Sequence, residues 1–186
     1  MIKIFLNCFN IYLIMKINRG LVGMVLSSSL FLNSNSYSQK PVNNYNPNKE
    51  QTYLKCFDKA KKIVSALDED EKDYWQTPKE TKERGRGDCE DCAFYLYDLL
   101  DKKSVKSRVV FGDYYNGEKW YGHMWVEYKH EGVILILDPR AGRICIKDKA
   151  KDYIEFKDKE PKDKVRDFIE GYKKDPDFKY SDMIKA

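Results

Sequence analysis

Apolar residues recur at helical spacing early in the chain. Five of them follow one another at intervals of three or four residues: Tyr53, Phe57, Ala60, Val64 and Leu67. Such spacing places side chains on one buried face of a helix. The pattern predicts an amphipathic helix over residues 49–68, which the acidic stretch 68–73 ends.

Helix-start signals mark two further helices. Thr77, Pro78 and Glu80 are the residues favoured at the N-cap, the first and the third positions, and they predict a helix that runs to Gly85. Asp88 is a candidate N-cap for the next helix, whose broad apolar face is typical of a buried central helix. That face consists of Ala93, Phe94, Leu96, Tyr97 and Leu100.

The second half of the chain changes to a strand pattern. Residues 107–115, 119–128 and 133–138 predict three strands, and a turn at 129–132 joins the last two. A terminal helix ends before Pro176 and is marked by Val165, Phe168, Ile169 and Tyr172. Helices followed by a mostly antiparallel sheet predict an α+β fold.

The N-terminus has the features of an export signal. From Met15 a basic segment precedes an apolar run and a polar segment, and Ser36 and Ser38 are small residues placed for cleavage before Gln39. The apolar run is short for a membrane span. The alternative is a membrane anchor that also uses the apolar residues before Met15.

These features predict the domain organisation. Residues 1–38 are a signal peptide, with Met15 as the true start, residues 39–48 are a linker, and residues 49–186 are the domain. The protein is therefore expected to be exported, to the periplasm or the medium, with no stable membrane anchor after cleavage.

Length and charge narrow the classes of function. A chain of 186 residues fits one domain of ordinary size. The net charge of +4 comes mostly from Lys3, Lys16 and Arg19 in the leader, which holds no acid. The remainder is nearly neutral and has no basic face with interleaved aromatic residues, so a nucleic-acid partner is not expected.

Cys89 lies at the predicted start of the central helix. Unpaired N–H groups and the positive end of the helix dipole favour a thiolate there, and the Cys89 N–H can donate to an oxyanion. The carboxylates of Asp88, Glu90 and Asp91 oppose this, because like charge disfavours a thiolate. They must point away, pair with arginines or bind a cation. The residues alone leave Cys89 open between a nucleophile and a buried structural cysteine.

His123 and His130 are the only histidines of the chain. His130 is predicted in an exposed turn. If Tyr128 faces Val133 in the hairpin, His123 lies directly opposite Asp138, close enough for the carboxylate to hold an imidazole N–H. A base held by an orienting acid is the arrangement of a catalytic triad. A register shift of one residue would place the two side chains on opposite faces.

Four short segments carry a resemblance to a known family. They are Trp75-x-x-Pro78-x-Glu80, Gly87-Asp88-Cys89-Glu90-Asp91-x-Ala93, Gly122-His123-Met124-Trp125-Val126 and Leu137-Asp138-Pro139. In them the chain resembles the transglutaminase-like cysteine peptidase superfamily, and within it the bacterial proteinases of the LapG type. The resemblance implies a papain-like fold, in which a Cys-bearing helix packs on an antiparallel sheet that carries His and Asp. It also implies Cys89 as nucleophile, His123 as base and Asp138 as orienter.

The resemblance extends to a metal. LapG-type enzymes use calcium held by the acidic residues beside the nucleophile, which implies Asp88 and Glu90 as calcium ligands. The alternative is that these two residues only cap and start the helix. The chemistry itself requires no cofactor. For the oxyanion hole, we expect the Cys89 N–H as first donor, with Trp75 or Gln76 as the second.

The function predicted on this basis is cysteine-dependent amide hydrolysis of a protein or peptide. A transglutaminase or deamidase acting on glutamine side chains through the same thioacyl-enzyme is one alternative, and an inactive binding protein is another. Cys89 and Cys92 also form a CxxC motif, so a thiol-redox or metal module is a further alternative. A structural zinc would have to recruit Cys56, Cys145 or His123. A disulfide among Cys56, Cys92 and Cys145 stays open, with no pair preferred.

Overall fold

The computed structural model describes residues 47–66 and 74–184. The predicted signal peptide, most of the predicted linker and the acidic stretch 68–73 lie outside the described residues, so those predictions remain untested.

Helices form the first layer of the domain. Their bounds are α1 Pro47–Ala60, α2 Pro78–Arg84, α3 Cys89–Asp101, α4 Lys159–Lys174 and α5 Tyr180–Met183. The prediction for the first helix is wrong at its C-terminal end, because β1 (Val64–Ser65) pairs in parallel with β2 (Arg86–Gly87). Val64 continues the apolar period of α1 but is exposed. Periodicity alone therefore extended the helix too far.

A five-stranded antiparallel sheet forms the second layer. Its strands are β3 Ser107–Tyr115, β4 Trp120–His130, β5 Val133–Asp138, β6 Arg143–Ile146 and β7 Tyr153–Glu155. Their order across the sheet is β6-β5-β4-β3-β7. The three long strands match the predicted ones. The sequence pattern did not predict β6 and β7, since strands of three or four residues are too short to show a period.

Helix α3 packs on one face of the sheet. Phe94 and Leu96 of α3 are fully buried in a cluster that includes Met124, Val126 and Leu137 of the sheet. Successive strand residues point to opposite faces. The other face carries a smaller cluster of Val110, Trp125, Ile136, Ala150 and Tyr153. The α+β class predicted from the sequence is confirmed.

The β4–β5 hairpin corrects the predicted register. His130 pairs with Val133 across a two-residue turn, Glu131 and Gly132, whose φ angles of 47° and 86° are those of a tight hairpin turn. The prediction that Tyr128 faces Val133 is therefore wrong by two residues. The prediction of His130 in an exposed turn is also wrong, because His130 is the last residue of β4 and its ring packs on the rings of Tyr53 and Tyr128.

The corrected register changes how the two predicted site residues are related. Tyr128 pairs with Leu135, and the ladder ends at Val126 and Leu137. One position further, Asp138 corresponds to Trp125 rather than His123. A shift of two residues keeps every side chain on its face, whereas a shift of one would not. His123 and Asp138 are consequently diagonal neighbours on the same face.

Candidate active site

Asp91 anchors the start of α3. Its buried carboxylate accepts hydrogen bonds from the Gln76 backbone N–H at 2.7 Å, from Gln76 Nε2 at 2.5 Å and from the Asp88 N–H at 3.3 Å. Gly87 has to be glycine here, because a Cβ would lie 2.6 Å from Cβ of Asp91. Of the three carboxylates that flank Cys89, Asp91 thus has a structural role: it binds Gln76 and the Asp88 N–H at the N-terminus of α3.

The Cys89 thiol lies half-buried at the first position of α3 and contacts Glu90. Its Sγ is 2.9 Å from Oε2 of Glu90, so the thiol donates to the carboxylate. Burial raises the pKa of the Cys89 thiol far above its usual value, and the charge and hydrogen bond of Glu90 raise it further. In this arrangement the thiol is protonated.

The Met124 N–H donates to the Cys89 sulfur, and this bond lowers the pKa of the thiol. The sheet explains why that N–H is available. Phe111 lies opposite Met124 in the β3–β4 ladder, but the Phe111 carbonyl accepts from Phe156 on the β7 side. The pair is therefore not hydrogen-bonded, and the Met124 N–H points toward β5, whose ladder has already ended. The Cys89 sulfur therefore lies against the β4 backbone at Met124, the residue that follows His123 in the strand.

His123 and Asp138 form a buried pair. Nε2 of His123 lies 2.7 Å from Oδ2 of Asp138, and both side chains are almost fully buried. A carboxylate only accepts hydrogen bonds, so the neutral imidazole carries its proton on Nε2. Nδ1 is then unprotonated and is the ring atom left to exchange a proton with a thiol.

Two further donors hold Asp138. The Tyr153 hydroxyl donates to Oδ2, the same oxygen that holds His123, at 2.8 Å. The Ala141 N–H donates to Oδ1 at 2.9 Å. Both oxygens of this fully buried carboxylate are satisfied, which fixes its orientation.

Aromatic rings surround the imidazole. Ring centroids of Tyr114, Tyr121 and Trp125 lie 5.2, 5.9 and 6.5 Å from that of His123. Tyr121 is exposed, and its hydroxyl is near enough to Asp138 and Cys89 to interact electrostatically with both. Burial, followed by the charges of Tyr114, Asp138 and Cys89, raises the pKa of Tyr121.

The two residues proposed as second oxyanion donor differ in position. The Trp75 ring is buried in the core, where it packs on Phe94, Phe168 and Tyr180. Gln76 instead holds Asp91 at the start of α3, two residues from the sulfur-bearing position. The Gln76 side-chain nitrogen has a second hydrogen, so Gln76 is the better placed of the two.

Asp88 and Glu90 are close to each other beside the thiol. Their carboxyl groups interact, and burial raises the pKa of Glu90. Two adjacent carboxyl groups suit a hard divalent cation, which would offset their mutual repulsion. Among residues 47–66 and 74–184, no group of three or more His, Cys, Asp or Glu side chains is arranged to hold a metal ion. Further ligands would have to be water or backbone oxygens.

The pKa of the Cys92 thiol argues against the thiol-redox alternative. Cys92 is buried one helical turn after Cys89, and burial together with the Asp91 charge raises the pKa of its thiol to about 12. Disulfide exchange needs a thiolate, which this environment disfavours. Among the described residues, no disulfide joins the cysteines, which are Cys56, Cys89, Cys92 and Cys145.

Sequence reasoning missed three contributors to this site: Tyr153, Ala141 and the Met124 N–H. Tyr153 lies on the short strand β7, fifteen residues after Asp138 along the chain. No local pattern marks such a contact. The Met124 N–H depends on where two strands separate, which is a property of the sheet and not of the residue.

The fold and the site together define a class: a helix-borne cysteine packed beside an antiparallel sheet that carries a His–Asp pair. A family model for the transglutaminase-like superfamily matches residues 36–139. The chain belongs to the transglutaminase-like superfamily, which confirms the family predicted from its motifs.

Solved structures show the same fold. LapG of Legionella pneumophila in its calcium-bound form is 23% identical with a TM-score of 0.51, and the match covers 57% of this chain and 62% of that one. The EGTA-treated form of LapG is also 23% identical, with a TM-score of 0.50 over 57% and 61% of the two chains. The match thus spans about three fifths of the LapG chain. No curated protein sequence matches this chain.

Proposed function

We propose that this chain is a cysteine-dependent amide hydrolase that acts on peptides or proteins. The observation that carries the proposal is the pairing of His123 with Asp138 at 2.7 Å, next to the Met124 N–H that binds the Cys89 sulfur. This geometry supports the proposal that Cys89 is the nucleophile, His123 the base and Asp138 the orienting carboxylate of a triad.

The first chemical step forms a thioacyl-enzyme. His123 Nδ1 takes the Cys89 proton, and the sulfur attacks the amide carbonyl carbon. The Cys89 N–H and the Gln76 amide are the proposed donors to the oxyanion. The imidazolium then gives its proton to the leaving amine, and the C–N bond breaks.

The second step returns the free enzyme. Water loses a proton to His123 as it attacks the thioester, the C–S bond breaks, and the carboxylic acid product leaves with the thiol restored. Asp138 accepts from Nε2 throughout, so the imidazole does not rotate between the two steps. It also stabilises the imidazolium that exists in between.

Glu90 controls the protonation state of Cys89, which is a thiol at rest and must become a thiolate to react. The Cys89 thiol donates to Glu90 and its pKa is raised, which keeps the nucleophile protonated. We propose that Asp88 and Glu90 are the residues that would hold a calcium ion, which would supply positive charge beside the sulfur. Glu90 itself accepts the thiol hydrogen bond in the absence of a cation, and its release from that bond would leave the Cys89 proton available to His123.

The proposed setting follows from the predicted signal peptide over residues 1–38. We propose that the protein is exported to the periplasm or the medium and meets a peptide or protein substrate there, with no nucleic-acid partner. Within residues 47–66 and 74–184, no helix is long and apolar enough to cross a membrane.

Turnover of a peptide library by the purified protein tests the function. We expect hydrolysis that Cys89→Ala abolishes and that Cys145→Ala preserves, since Cys145 is a partly exposed thiol on β6 outside the site. An added primary amine separates the outcomes, because a transferase would yield the amine adduct in place of the free acid. Undiminished hydrolysis by Cys89→Ala would refute the proposal.

A further inference from the structure

Asp138 Oδ2 accepts two hydrogen bonds from side chains of different strands. Nε2 of His123 on β4 lies 2.7 Å away and the Tyr153 hydroxyl on β7 lies 2.8 Å away. The carboxylate has no proton to give, so the hydroxyl must be the donor in its contact. The charge of one oxygen is therefore divided between an imidazole and a phenol.

Tyr153 is held firmly in place for this contact. It pairs with Tyr114 across β3 and β7, and the two rings lie 4.7 Å apart. The Trp125 ring meets it edge-on at 5.2 Å, and the Arg143 guanidinium lies 5.6 Å from its ring centre. Buried on all these sides, the hydroxyl has no freedom to leave Asp138 without a loss of packing.

The ionisation state of Tyr153 agrees with a permanent donor. Burial, and then the adjacent charge of Asp138, raise the pKa of Tyr153 far above its ordinary value. The hydroxyl consequently stays protonated over the whole pH range in which a cysteine enzyme works.

We propose that Tyr153 is a positioning residue of the active site: its hydroxyl fixes Oδ2 of Asp138 and limits how strongly that oxygen stabilises a protonated His123. This inference rests on the proposed function. Tyr153 touches neither the nucleophile nor the substrate and acts through the carboxylate. If the hydroxyl is removed, the full charge of Oδ2 falls on the imidazole, which then retains its proton more strongly.

The test is a pH titration of the two histidines by NMR in ¹⁵N-histidine-labelled protein. In Tyr153→Phe, we expect the protonation midpoint of His123 to move to higher pH by about half a unit or more, while that of His130 stays in place. Turnover should fall about tenfold through kcat, with the acid limb of the pH profile shifted the same way and KM unchanged. Tyr172→Phe is the matched control, because it removes a buried hydroxyl that has no hydrogen-bond partner and lies on α4.

A second substitution keeps the test decisive if Tyr153→Phe folds poorly. Replacing Tyr153 with 3-fluorotyrosine keeps the hydroxyl and makes it a stronger donor, so the His123 midpoint should move to lower pH. Midpoints that coincide with wild type, or that move the same way in both variants, would overturn the proposal. The titration does not depend on turnover, so the two proposals are tested separately. A protein that hydrolyses no peptide would refute the proposed function, and the His123 midpoints would still test the role of Tyr153.

Discussion

Asp138 holds His123 from a diagonal position and not from directly across the hairpin. Nε2 and Oδ2 are 2.7 Å apart, although the ladder register places Trp125 in line with Asp138. Diagonal neighbours on one face of a sheet are separated by roughly 7–8 Å at the backbone, which a histidine and an aspartate span together. The β4–β5 ladder ends at Val126 and Leu137, and two residues before Val126 the Met124 N–H binds the Cys89 sulfur instead of a β5 carbonyl.

Asp138→Asn tests the orienting role. The asparagine has one accepting oxygen for the three donors that surround Asp138, and it no longer stabilises an imidazolium. We expect kcat to fall by about 10²- to 10⁴-fold. Circular dichroism confirms that the protein stays folded. A rate within twofold of wild type in folded protein would show that Asp138 does not take part.

Glu90→Gln tests the control of the thiol. Removing the negative charge next to Cys89 lowers the pKa of that thiol, because Glu90 raises it through both charge and hydrogen bonding. In the presence of EGTA, we expect alkylation of Cys89 by iodoacetamide at pH 7.5 to become about tenfold faster. Glu170→Gln, on the exposed side of α4, should leave the rate unchanged. Equal rates for Glu90→Gln and wild type would contradict the role of Glu90.

Thermal unfolding with and without calcium tests the proposed metal site. A cation that binds only the folded protein raises the melting temperature in proportion to the logarithm of its concentration. We expect a rise in millimolar calcium that EGTA reverses, and no rise in Asp88→Asn combined with Glu90→Gln. Magnesium is the control, since it demands tighter octahedral geometry. A melting temperature that calcium does not change would show that Asp88 and Glu90 do not hold the ion.

Glu155 should make stability depend on pH. Its carboxylate accepts from Arg108 and Lys147, and the Arg108 hydrogen bonds are the main reason that its pKa is lowered to about 2. A carboxyl group whose pKa is lower when folded stabilises the protein fully above its unfolded pKa, and loses that contribution as pH falls through the folded value.

Glu155→Gln is therefore expected to cost about 2 kcal/mol of unfolding free energy at pH 7, measured by urea denaturation. The difference from wild type should shrink between about pH 4.5 and pH 2. Glu170→Gln, an exposed surface pair with Lys174, should change stability by less than about 0.5 kcal/mol at either pH. A Glu155→Gln deficit that is the same at pH 7 and pH 2 would show that the effect is not electrostatic.

The sequence predicts the architecture better than the details of the site. The sequence predicts long periodic segments such as α3, α4 and β3 to β5, because burial on one face leaves a repeating signal. It does not predict the hairpin register, because Glu131 at φ 47° is an unusual residue for the first turn position and the sequence favours His130 as a turn residue. The prediction that His123 and Asp138 share a face of the sheet holds, because the predicted register is wrong by two residues and an even shift keeps every side chain on its face.

Other parts of the site depend on tertiary structure alone. Tyr153 reaches Asp138 only because β7 returns to the sheet beside β3. The thiol's contact with Glu90 is a choice of side-chain rotamer, and the Met124 N–H is free to bind sulfur only because β5 leaves β4 after Leu137. None of these facts has a signature in a window of sequence.

Covalent trapping with a thiol-reactive peptide electrophile, followed by intact-mass measurement and mapping of the labelled residue, tests whether Cys89 is a nucleophile activated by His123. We expect one adduct per chain, on Cys89, formed much more slowly in His123→Ala and at an unchanged rate in Cys145→Ala. Labelling that maps to another cysteine, or that proceeds equally fast without His123, would contradict it.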